Sequence, residues 1–115
     1  SDSEYDNLFT KDKPIIFAYH GYRPLIYELT YYRHNHNMHV HGYIEEGTIT
    51  TPFDMCVKNE LDRFHLVMDA VNNLNLGLEG EKIINDMNNL LIKHKDYIKE
   101  YGIDMEEVRN FEYKF

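Results

Sequence analysis

Four histidines fall within eight residues of the stretch YYRHNHNMHVHGY, residues 31–43: His34, His36, His39 and His41. Neutral imidazole is a common protein ligand for zinc and other transition metals, so such a cluster first raises the question of a metal site. On a strand, His39 and His41 point to one face about 6.5 Å apart, close enough to share an ion. A catalytic zinc needs a third protein ligand, which His34, His36, His20 or a carboxylate brought near by the fold would have to supply. No Cys-x-x-Cys, no His-Glu-x-x-His and no helical histidine pair supports that reading. The plainer expectation is that His39 and His41 sit on a half-polar sheet face and hydrogen-bond locally, while His34 and His36 dress a loop. Metal ligation is not expected, and His39 with His41 are the candidates should it occur.

The remaining constellations are weaker. His20, Tyr22 and Arg23 lie in a turn at the carboxyl end of an apolar strand, where α/β sheets often bind ligands, so this turn is a ligand or interface candidate. Gly21 and Gly47 build no phosphate loop of the G-x-G-x-x-G or P-loop kind. Glu45 and Glu46 are adjacent in a strand and point to opposite faces, so they cannot flank one substrate. Asp62, Arg63 and His65 have no nucleophile to pair with and read as a solvated helix face. Cys56, the single cysteine, cannot form an internal disulfide and is expected to be a small core residue in a reducing, cytoplasmic setting.

The whole chain, at 115 residues, suits one domain. A hydrophobic content of 43%, with ten tyrosines and six phenylalanines, argues for a packed core. Twenty acidic residues against twelve basic ones give a net charge of −8, which repels nucleic acid and anionic lipid. No apolar run approaches the roughly 20 residues a membrane span needs, and the acidic start SDSEYDNLF excludes a signal peptide within these residues.

The elements that must position the histidines follow from periodicity. Residues 1–13 form a polar lead-in. Residues 14–20, PIIFAYH, read as a strand buried on both faces, and residues 24–32 as a short helix behind the turn HGYRP. A second strand runs from His39 to about Glu46, with Val40, Gly42 and Ile44 on one face and His39, His41, Tyr43 and Glu45 on the other. Thr51, Pro52 and Asp54 approximate a capping box. The helix they open carries one apolar face through Phe53, Val57, Leu61, Phe64, Met68 and Val71. Residues 73–80, NLNLGLEG, interrupt it. A second long helix follows through Ile84, Met87, Leu91, His94, Ile98 and Tyr101, and Gly102 ends it. Asp104 and Glu107 can cap a last short turn before the aromatic tail Phe111, Tyr113 and Phe115. Two strands are too few for a self-contained α/β layer, so the neighbours of the first strand are expected outside this chain, and its open edge invites self-association.

The strings HGYRPLIYELTYYRHNH, HVHGYIEEGTITTPFDM and NELDRFHLVMDAV, followed by the segment DMEEVR, resemble the C-terminal end of the phosphoketolases. The family pattern is an apolar strand ending in FHGY, then LTYRR with Asn and His after it, then HVRGY-x-EEGTTTTPFDM and N-x-LDRFHL-x-MD. The resemblance runs from Lys13 to Arg109. It implies an α/β fold in which residues 14–115 are the latter part of a three-layer α/β/α, transketolase C-terminal-like domain. It also implies an enzyme using thiamine diphosphate and Mg²⁺ to cleave xylulose 5-phosphate or fructose 6-phosphate with inorganic phosphate, giving acetyl phosphate and an aldose phosphate. Those cofactors would be bound by domains preceding this segment, in a homodimer or higher oligomer whose remaining domains are its partners. None of the family's catalytic residues maps here, so the chain alone is expected to be inactive. His41 stands where the family usually has Arg, Ile44 where it has Lys and Ile49 where it has Thr, while Arg23-Pro24 replaces Pro-Trp. One of the four histidines is thus a local substitution, and the resemblance implies that the cluster is coincidental. The competing expectation, from the residues alone, is a small His-rich metal-binding or ligand-sensing regulatory module.

Overall fold

A computed structural model describes residues 1–44, 47 and 49–111. The order is α1 (Asp2–Phe9), β1 (Ile15–Ala18), α2 (Arg23–Thr30), β2 (Met38–His41), α3 (Pro52–Lys58), α4 (Arg63–Asn72), α5 (Gly77–Tyr101) and α6 (Glu106–Arg109). β1 and β2 are parallel, pairing Ile15 with Met38 through Ala18 with His41, and α2 crosses between them. Because side chains alternate along a strand, Met38 and Val40 face one side and His39 and His41 the other. The first side meets α2: Thr30 Oγ1 lies 4.0 Å from Met38 Sδ, and Val40 and Ile26 are buried. The second side meets α4, against which the long α5 packs. The result is the α/β arrangement expected, with helices on both faces of the parallel pair.

Several expectations need correction. The lead-in is polar but not without structure: residues 2–9 are helical, with Ser1 Oγ accepting from Glu4 N at 3.3 Å and the Glu4 carboxylate returning to the Ser1 nitrogen at 2.7 Å. α1 is tied down through Arg33–Asp2 at 2.5 Å and His34–Asp6 at 2.8 Å. β1 is not a strand buried on both faces; Ile15, Ile16 and Phe17 are half-buried and Ala18 is exposed, because among the described residues it has one strand neighbour. β2 stops at His41 rather than near Glu46. Tyr43 N still donates to Gly21 O at 2.7 Å, but Ile44 N is taken by the side chain of Asn59 at 2.7 Å, which ends the ladder. Glu45 and Glu46, with Tyr113 and Phe115 of the expected tail, lie outside the described residues.

The expected helix through Phe53–Val71 is two helices. Asn59 closes α3, Glu60 takes a left-handed backbone (φ 56°), and the Asp62 carboxylate caps α4 by accepting from Phe64 N and His65 N at 2.9 and 3.1 Å. Apolar spacing survives such a break because the pivot keeps Phe53 and Phe64 edge to face, 5.8 Å apart. Asp62 is therefore a buried cap and no part of a solvated face. At the other end, α6 has no side-chain cap. Asp104 instead accepts from Thr51 Oγ1 at 2.5 Å, and Glu107 pairs with Lys93 at 2.6 Å. α5 ends at a left-handed Gly102 as expected, but it begins at Gly77, so residues 77–80 of the expected break are its first turn.

Asn35 joins the lead-in to the sheet. Fully buried, it donates to Lys13 O at 2.8 Å and Phe9 O at 3.2 Å and accepts from Asn37 N at 3.0 Å. Asn35→Ala leaves these backbone groups unpaired and should cost about 2 kcal/mol in urea unfolding, with faster amide exchange at Asn37. An unchanged midpoint would show that water replaces the amide without loss.

Candidate functional site

The histidine pair is where sequence pointed first, and the fold gives it a partner. β2 holds His39 and His41 on one face, and α4 brings Asp69 between them. His39 Nδ1 lies 2.8 Å from Asp69 Oδ1, and His41 Nε2 lies 2.5 Å from Asp69 Oδ2. An ionised carboxylate only accepts, so His39 carries its proton on Nδ1 and His41 on Nε2. Asn73, one turn along α4, adds a third bond to Asp69 Oδ1 at 3.1 Å. One half-buried carboxylate thus bridges two imidazoles and fastens the sheet to the helical layer.

The other histidines go elsewhere. His34 pairs with Asp6 on α1, and His20 stacks on Tyr43 at 5.4 Å. His65 Nδ1 meets Asp62 Oδ2 at 2.5 Å, and buried His94 meets Asp54 Oδ1 at 3.1 Å through Nε2. Asp54 also accepts from Thr50 at 2.5 Å, so the residue expected to complete a capping box instead ties α3 to α5. Among the described residues, no group of three or more His, Cys, Asp or Glu is arranged to hold a metal ion. Sequence reasoning paired neither Asp69 with His39 and His41 nor Asp54 with His94, since these contacts join residues 28 to 40 positions apart. Asp62 did carry a signal, an N-cap residue directly ahead of the apolar run RFHLVM.

The turn of His20, Tyr22 and Arg23 closes against β2. Gly42 passes so near it that a Cβ there would sit 2.7 Å from Gly21 O and 3.0 Å from Arg23 N. Tyr19 Oη donates to Tyr22 O, and Tyr22 and Tyr43 meet edge to face at 6.5 Å. Two hollows flank the turn: one of about 270 Å³ between His20, Tyr43, Cys56 and Leu61, and a shallow one of about 520 Å³ beside Tyr22, Arg23 and Ile44. A larger cleft of about 600 Å³ lies between α3 and α5, floored by Val57, Leu91 and Ile98 and edged by Lys58 and Lys95.

Cys56 borders the smaller hollow but is not poised to react. Burial first, then the Asp62 and Asp104 carboxylates, push its thiol above the ordinary cysteine value. Since the thiolate is the nucleophile, iodoacetamide at pH 8 should modify Cys56 at least tenfold more slowly than free cysteine. The rate should recover on unfolding, as followed by mass spectrometry. Equal rates would mean the thiol is open and unperturbed.

Residues 1–113 match the profile described as the XFP C-terminal domain. The chain is 56% identical over 114 residues to a protein of Clostridium acetobutylicum named "Probable phosphoketolase", which covers 98% of this chain and 14% of that protein. It is likewise 56% identical over 114 residues, again 98% and 14%, to "Probable phosphoketolase 2" of Lactiplantibacillus plantarum. The "Probable phosphoketolase" of Chlorobaculum tepidum is 56% identical over 116 residues, 99% of this chain and 15% of that protein. The chain thus spans about one seventh of the length of these relatives.

Proposed function

Because the chain belongs to the XFP C-terminal domain family, we propose that it works as the C-terminal part of a larger phosphoketolase whose reaction is performed elsewhere in that enzyme. The reaction is phosphorolytic cleavage of xylulose 5-phosphate or fructose 6-phosphate to acetyl phosphate, water and an aldose phosphate, in cytoplasmic carbohydrate metabolism. The observation that carries this reading is the alignment itself: nearly the whole chain at 56% identity, against a small share of a relative named for that activity.

The reaction class calls for thiamine diphosphate and Mg²⁺, and the described residues do not fit them. Asp54, Asp62 and Asp69, carboxylates of the kind a hard cation takes, are each bonded to histidine. Among the described residues, no loop of the G-x-G-x-x-G or P-loop kind opens a helix to cradle a diphosphate. No step is therefore assigned to this chain, whose part is to pack against the other domains of a homodimer or higher oligomer. Among the described residues, no helix is long and apolar enough to cross a membrane.

The test is acetyl phosphate formation, trapped as hydroxamate, from xylulose 5-phosphate, phosphate, thiamine diphosphate and Mg²⁺. The polypeptide translated from the whole reading frame should turn over and residues 1–115 alone should not. Turnover by the short chain, or none by the long one, removes the proposal.

A further inference from the structure

We propose that the stripe Tyr22–Leu25–Leu29–Tyr32 along α2 is a docking surface for the preceding part of the same polypeptide. This rests on the reading above, that the chain works within a larger phosphoketolase. The inward line of α2 is marked by Ile26, buried over the sheet, and Thr30, against Met38. Leu25 and Leu29 each stand one position earlier, about 100° round the helix, and Tyr22 at the N-cap and Tyr32 just past the C-cap flank them in sequence. These four are 58%, 51%, 64% and 89% exposed. The helix that crosses between two parallel strands normally turns charged residues outward, yet beyond Arg23 at its first position Glu28 is the one charged residue in RPLIYELT. Other exposed apolar side chains, such as Leu8, Ile49 and Leu78, lie far apart in the sequence, whereas these four gather on and beside α2, together with Tyr27 and Tyr31 at 50% and 69% exposed, as at interaction surfaces.

The sheet below has the same need. Parallel strands occur almost always in larger sheets covered on both faces, and β1 and β2 each keep an unpaired edge among the described residues. Leu25 and Leu29 overhang a two-stranded sheet because α2 is apolar over a wider arc than two strands can cover. The occupant follows from length. The relatives carry about six-sevenths of their residues outside the matched segment. Those residues are held at high effective concentration by the chain itself, whereas a second copy must be recruited from solution.

Hydroxyl-radical footprinting of the whole-frame protein tests this directly. The peptide carrying residues 22–32 should be oxidised at least fivefold more slowly than in the urea-unfolded protein, at every protein concentration. A Leu25→Asp, Leu29→Asp variant should bring the rate within twofold of the unfolded value at unchanged sedimentation coefficient, while Leu29→Met keeps the protection and controls for misfolding. Oxidation of the wild type at the unfolded rate overturns the proposal, and so does protection that disappears on dilution, because a second copy then covers the stripe. Acetyl phosphate formation is read separately. An active enzyme with an open stripe sinks the docking alone, and an inactive one with a protected stripe sinks the functional reading alone.

Discussion

Asp62→Ala is expected to destabilise the protein by about 4 kcal/mol, the largest single effect among the polar residues. The side chain is fully buried and satisfies three donors at once: Phe64 N, His65 N and His65 Nδ1. Removing it uncaps α4 at the point where the chain pivots out of α3. It also strands the amide of buried Phe64, whose ring packs on Phe53 and beneath Arg63, 4.8 Å from the guanidinium. Asp62→Asn separates the two contributions, since asparagine caps a helix nearly as well as aspartate but cannot offer a charged acceptor to His65. It should cost about 1 kcal/mol. Urea unfolding followed by circular dichroism reads both. Equal losses for the two variants would place the effect in the charge and leave the cap irrelevant.

Asp69→Ala is expected to cost about 3 kcal/mol, because it removes the common acceptor of His39 and His41 and leaves the mostly buried ring of His41 unpaired. His39, more exposed, should recover part of the loss from water. Asp69→Asn should be milder, about 1 kcal/mol, since the amide can accept from one ring and donate to the other if that ring changes tautomer. Long-range ¹H–¹⁵N spectra make the geometry checkable in the unaltered protein. His39 should appear as the Nδ1–H tautomer and His41 as Nε2–H. The reverse assignment for either ring would mean that Asp69 does not bridge them.

These two aspartates show where sequence reading held and where it could not. The strand around His39 and His41, their shared face, α5 with its Gly102 stop and the Thr51 cap of α3 are each marked by residue types a few positions apart, so periodicity and cap chemistry expose them. The single long helix expected across residues 53–71 failed for a reason visible in hindsight. Apolar spacing of three and four residues persists through a pivot, and only Asn59 and Asp62, both preferred at helix ends, mark the break. The helix within the polar lead-in offered only the short apolar pair Tyr5 and Phe9 to announce it, their rings 4.8 Å apart; it is held by its cap and by Arg33, His34 and Asn35 from another segment.

By itself, then, the sequence determined the class of the domain, the two strands and most of the helices, and a family resemblance that the profile match bears out. Tertiary structure alone decided what the histidines are for. Asp69 stands 30 residues from His39 and 28 from His41, and Asp54 stands 40 from His94. A carboxylate at such a distance is one solvated charge among twenty acidic residues until packing sets it beside an imidazole. Hydrogen bonds act over about 3 Å. Which acid meets which base is therefore fixed by how helices lie on the sheet.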